Sequence, residues 1–177
     1  PHVRSRPAIE IKVSMEMKMQ VDDRLLDDRM LDSMPAALMP VEIWHNPACG
    51  TSRNTLALIR HVGIEPQVID YLSAPPSKEI LAETIVAAGL TVREAIREKG
   101  TPYLELGLDD PTLSDDTLLD AMLAHPILIN RPFVITPIGV RLCRPSEVVL
   151  DILPPCDTPY AKEDGEVVID ANGVRVR

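Results

Sequence analysis

The residues best equipped for chemistry lie together in the run His45-Asn46-Pro47-Ala48-Cys49-Gly50-Thr51-Ser52-Arg53-Asn54-Thr55. An apolar, strand-like stretch, Val41-Glu42-Ile43-Trp44, precedes it, and a helical pattern with Leu56, Ile59 and Val62 follows. This order puts Cys49 at the mouth of a helix, where unpaired backbone N–H groups and the positive end of the helix dipole favour an anion. A thiol so placed ionises closer to neutral pH, and the thiolate is a nucleophile. Cysteines at helix starts are more often inert than catalytic, so the neighbours must decide.

His45, four residues upstream, stands at the strand end. Either its charge or hydrogen bond helps to hold the thiolate, or it is a structural histidine packed there. Asn46 and Ser52 complete the supporting set. Ser52 and Thr51 are suited to cap the helix, and a hydrogen bond to the sulfur is the further reading. Ser52 occupies the place where a Cys-x-x-Cys motif would have its second cysteine, so an oxidised Cys49 needs an outside thiol or a distant cysteine. Three residues separate Cys49 from Arg53, too few for a phosphatase-type loop, which needs about five to wrap an anion in N–H groups. Other arginines recur at element ends: Arg131 in Asn130-Arg131-Pro132, Arg144 in Cys143-Arg144-Pro145, and Arg93 and Arg97 four apart on one expected helix face. Guanidinium groups match a tetrahedral oxyanion with paired hydrogen bonds, although surface arginines would look the same in sequence. Cys143 reads as a buried structural thiol and Cys156 as a bystander in a turn; His61 and His125 look structural. No paired His/Cys spacing points to a metal.

The chain has 177 residues, a net charge of -9, 45% apolar residues and only 3% aromatic ones. It can build one mostly aliphatic core. Its acidity argues against nucleic acid or an anionic membrane surface as partner. No apolar run reaches the roughly 20 residues of a membrane span, and no signal peptide is expected. Three cysteines without regular spacing fit a reducing cytoplasm rather than a disulfide framework.

Residues 1–40 differ from the rest. Apolar residues alternate with polar ones from Ile9 to Val21, Asp22–Leu26 is echoed by Asp27–Leu31, and Ser33–Pro40 reads as a linker. This segment is expected to be a poorly ordered extension or an added edge strand. From Val41 the pattern is α/β. Strands are expected at Val41–His45, Gln67–Tyr71, Phe133–Thr136 and Val140–Cys143. Helices are expected at Ser52–Val62, about 78–88, 92–99 and 115–124, and at Pro145–Leu153. The helix at 92–99 opens with a Thr91/Glu94 capping box. The tail Glu166–Arg177 alternates around Ala171-Asn172-Gly173 as a short hairpin. Strand, helix, parallel strand, a helical insertion, an antiparallel strand pair and a helix make up a thioredoxin-like mixed sheet. The expected domain covers 41–156, with 157–177 a tail.

Three segments, taken in order, resemble the glutathione/glutaredoxin-coupled arsenate reductases: His45–Thr55, His125–Pro132 and Arg141–Val149, with Lys162-Glu163-Asp164-Gly165 still similar in the tail. The resemblance implies that Cys49 attacks arsenate and that Arg97, Arg131 and Arg144 bind the oxyanion. It further implies glutathione as co-substrate, glutaredoxin as protein partner, no tightly bound cofactor, and a cis peptide bond before Pro132. Trp44 stands where that family often has tyrosine. A non-catalytic Spx-like redox regulator and a general thiol transferase of the same fold are the competing readings. Ser52 and the three arginines argue against both.

Overall fold

The computed structural model describes residues 35–176. The alternating stretch at 9–21 and the acidic repeat lie outside the described residues. Part of the expected linker is ordered: Ala36–Leu38 form a 3-10 turn, and Met39 is buried.

Four strands form the main sheet: β1 (Glu42–Trp44), β2 (Gln67–Ile69), β3 (Phe133–Thr136) and β4 (Gly139–Leu142), in the order β2-β1-β3-β4. β1 and β2 are parallel, joined through helix α1 (Gly50–His61), while β3 is antiparallel to both β1 and β4. This is the thioredoxin-like order that the sequence implied. Gly63, with φ +91°, turns the chain out of α1, a conformation that favours glycine.

Side chains alternate across the sheet with the period of two that extended backbone imposes. Trp44, Phe133 and Ile135 face one apolar layer, shared with Leu81 and Ile85 of α2 (Lys78–Ala87) and Leu118 and Met122 of α3 (Asp115–Ala124). Ile43 and Val134 face the other, with Leu58 and Ile59 of α1 and Val149 and Ile152 of a 3-10 helix at Ser146–Ile152. Trp44 meets Phe133 edge-on at 5.5 Å between ring centres, and its Nε1–H donates to the buried Glu42 carboxylate at 2.9 Å. Ser77 and Ser114 cap α2 and α3, and Lys78 bridges the two helices through Asp116 and Asp120.

Two expected helices take other forms. The Thr91/Glu94 box does close: the Thr91 N–H donates to the Glu94 carboxylate at 2.8 Å, and the Glu94 N–H donates back to Thr91 Oγ1 at 3.3 Å. The helix nevertheless ends after one turn. The Arg97 N–H donates to Leu128 O at 2.7 Å and the Asn130 N–H to Ala95 O at 2.9 Å, so Ile96 pairs with Ile129 as a β-bridge. Pairing with a distant segment has replaced local helical bonds. The closing helix is 3-10 rather than α and begins after Pro145, which caps it from outside instead of occupying its first position. In the tail, β5 (Tyr160–Ala161) pairs with β6 (Val167–Ile169), a pairing the sequence did not announce. The expected turn at 171–173 is present, with Ile169 bridging to Arg175. No helix among the described residues is long and apolar enough to cross a membrane.

Candidate active site

Cys49 occupies the N-cap position of α1, with extended backbone at φ -100°. The preceding turn is held by its own hydrogen bonds. The Cys49 N–H donates to Asn46 O at 3.0 Å, and the Ala48 N–H donates to Asn46 Oδ1 at 2.9 Å. The Asn46 N–H donates to Ser52 Oγ at 3.1 Å, and that oxygen lies 2.9 Å from His45 Nδ1. Because Ser52 Oγ already accepts from Asn46, its own proton is free to go to a neutral His45 ring. Asn46 and Ser52 are both buried. The Ser52 side chain therefore braces the turn and neither caps α1 nor touches the sulfur.

Burial opposes ionisation of Cys49, but it is outweighed. The Ser52 backbone N–H, the Arg131 charge and the Arg144 guanidinium together pull the thiol below its ordinary value. The Ser52 N–H faces the sulfur without closing a regular capping bond. Arg144 Nη1 lies 4.0 Å from Cys49 Sγ and donates to Arg131 O at 3.0 Å. His45 contributes no positive charge. Burial, then the charges of Arg60 and Arg53, lower its pKa, so the ring is neutral near pH 7. The lowered pKa disfavours the alternative in which an imidazolium holds the thiolate.

The three later arginines converge. Arg131 is 7% exposed, and its Nη1 donates to Ile127 O at 3.3 Å. The peptide bonds before both Pro132 and Pro145 are cis; the first was expected and the second was not. Arg97 is half-buried and is brought to the site by the Ile96–Ile129 bridge. Burial, then the charges of Arg131 and Arg144, lower its pKa, while Cys49 and Tyr71 raise it. Among the described residues, none of these three arginines pairs with a carboxylate. Arg93 is not part of the group: its guanidinium ties down the loop carbonyls of Leu108, Asp110 and Leu113.

An unanticipated contact comes from the tail. Glu163 pairs with Arg53 at 3.0 Å, and its N–H donates to Asn54 Oδ1 at 3.1 Å. Arg53 also donates to Pro47 O at 2.9 Å, so the tail is pinned against the cysteine turn. Cys143 is fully buried, and burial, aided by Asp151, pushes its thiol far up. Cys156 is half-buried against the α1 side of the core. All three thiols are free, and no cluster among the described residues could hold a metal ion.

The sequence profile of the ArsC family matches residues 44–152. The chain belongs to the ArsC family. An arsenate reductase of Rhizobium meliloti (strain 1021) is 70% identical to this ArsC-family chain over 141 residues, covering 78% of it and 99% of the relative. An arsenate reductase of Escherichia coli (strain K12) is 54% identical over 138 residues, covering 77% and 98%. A solved structure of an arsenate reductase from Vibrio cholerae superposes with a TM-score of 0.63 at 50% identity, covering 65% of this chain and 98% of that one.

One residue close to Cys49 and the arginines escaped the sequence reading. Tyr71 is fully buried and interacts electrostatically with Cys49, Arg97 and Arg131. Its position at the end of the second expected strand was the available signal.

Proposed function

We propose that the chain reduces arsenate to arsenite through a covalent adduct on Cys49, with glutathione and glutaredoxin supplying the electrons. The observation that carries this reading is the cluster of three guanidinium groups near one acidified thiol, none of them paired with a carboxylate among the described residues. Such a site attracts a multiply charged tetrahedral anion and overcomes its repulsion from a thiolate. The relatives named arsenate reductase support arsenate as that anion.

The Cys49 thiolate attacks arsenic(V), an S–As bond forms, and hydroxide leaves. Arg97, Arg131 and Arg144 bind the oxygens and stabilise the charge that develops on them. A glutathione thiolate then forms a disulfide bond with the Cys49 sulfur. The S–As bond breaks, and its electron pair remains on arsenic, which leaves as arsenite, arsenic(III). A glutaredoxin thiol takes over the glutathione and frees Cys49. Asn46, Ser52 and neutral His45 hold the turn that presents the sulfur. Dependence on an external thiol fits a reducing cytoplasm, as do three free cysteines.

The test is arsenate-dependent oxidation of NADPH in an assay coupled through glutathione, glutathione reductase and glutaredoxin. Wild type should be active and Cys49→Ala inactive, while Cys156→Ser should retain activity. An active Cys49→Ala variant refutes the proposal. Loss of activity in Cys156→Ser would transfer the resolving step to that thiol.

A further inference from the structure

We infer that the Tyr71 hydroxyl donates a hydrogen bond to the bound oxyanion, acting as an uncharged substrate-binding group beside the arginines. The inference rests on the reading of Cys49 and the arginines given above.

The backbone places Tyr71 at the site. β1 and β2 are parallel with Trp44 opposite Ile69, and the His45 N–H extends the pairing to Ile69 O at 2.9 Å. Asn46 and Tyr71 each follow the last residue of their strand by two positions, at the carboxyl ends of β1 and β2. Ligands bind at that edge of open α/β sheets. The tyrosine ring belongs to the same apolar cluster as Trp44, Leu81 and Phe133, which fixes the direction of its hydroxyl.

That hydroxyl makes no hydrogen bond among the described residues. Among the described residues, the buried side-chain polar atoms without a hydrogen bond are Tyr71 Oη, Arg97 Nε and Arg131 Nε. A buried donor left unpaired is destabilising, so three together call for an explanation. A guanidinium group has no acceptor to offer the phenol. Asn46 Oδ1 is engaged by the Ala48 N–H, and the Asn46 side chain, although near enough to influence the phenol, does not reach hydrogen-bonding geometry. The three residues lie near enough to Cys49 and to one another to interact electrostatically, and these three donor atoms have no acceptor among the described residues. An anion with several oxygens completes all three. Burial, the largest influence on the phenol, raises its pKa and keeps its proton in place. Tyr71 therefore binds without transferring a proton, and it adds a contact without adding further positive charge.

Tyr71→Phe keeps the ring and deletes the hydroxyl. The expected result is a fall of about tenfold in kcat/KM for arsenate. About tenfold more arsenate should be needed to protect Cys49 from alkylation by iodoacetamide. Alkylation without arsenate should keep its rate, and the thermal midpoint should stay or rise, because an unpaired buried group has been removed. Unchanged kcat/KM and unchanged protection overturn the inference. So does a fall in kcat/KM that accompanies a lower thermal midpoint with protection intact, the signature of a structural bond to Asn46. Arg131→Lys is the control. If arsenate protects that variant as well as wild type, the reading of the whole site fails; if only Tyr71→Phe is protected normally, the tyrosine inference alone fails.

Discussion

Replacing Arg144 by alanine separates the two jobs proposed for one guanidinium in this site. Its Nη1 lies 4.0 Å from Cys49 Sγ. Two unit charges at that distance interact by about 4 kcal/mol at an effective dielectric of about 20, and by about 1 kcal/mol in water. Arg144 is exposed, so the lower figure applies. About 1 kcal/mol is roughly 0.7 of a pKa unit, or at most about a fivefold change in the thiolate fraction near neutral pH. The loss of oxyanion stabilisation is larger, because removing one such donor costs about 100-fold in rate. Arg144→Ala should therefore raise the thiol pKa by less than one unit while kcat/KM for arsenate falls about 100-fold. Arg144→Lys should restore most of the thiol pKa and little of the activity, since an ammonium group cannot make paired contacts. Iodoacetamide alkylation measured against pH gives the pKa, and the coupled assay gives kcat/KM. If the activity loss stays within about fivefold, or disappears once the pH is high enough to ionise the thiol fully, Arg144 acts on sulfur alone and the oxyanion argument is wrong.

Other parts of the structure yield separate expectations. Arg131→Lys should lower kcat/KM by about tenfold or more, because its neighbours fix a planar fork in a buried position; equal activity in the coupled assay would count against its role. His45 carries a pH dependence of stability. Its pKa is lowered in the folded chain, so the unfolded chain takes up the proton first and stability declines as pH falls below the ordinary value of 6.5. Urea unfolding at pH 7.5 and 5.5 should show this decline in wild type and a shallower one in His45→Gln; identical slopes would refute it. Lys162, with a side chain only 8% exposed, bridges Glu147 and Glu166 at 2.8 Å each. Lys162→Ala leaves Glu147 without that cation and should cost about 1–3 kcal/mol in urea unfolding, less than for a fully enclosed pair because Glu166 is exposed. An unchanged midpoint would show the bridge to be incidental.

The sequence by itself determined those features whose causes are local. Strand alternation at 42–44 and 133–136 follows from successive side chains pointing to opposite faces. Cys49 at a helix start is set by the few residues around it, and the Thr91/Glu94 box closes within one turn as its spacing requires. The motif resemblance supplied Arg97, Arg131 and Arg144, and it also supplied the cis bond before Pro132. The tertiary structure decided whatever depends on a partner far along the chain. Residues 92–99 meet the local requirements of a helix, yet Ala95 and Arg97 find backbone partners near 128–130, and the bridge that results brings Arg97 to the sulfur. His45 is neutral because of burial and two arginine charges, none of which the strand-end sequence expresses. Glu163 reaches Arg53 only because the tail folds back onto α1. The orphaned hydroxyl of Tyr71 is likewise defined by everything packed around it. Periodicity and capping act over a turn or a few residues, whereas burial, convergence of charge and hydrogen-bond satisfaction come into being only when separate segments are packed together.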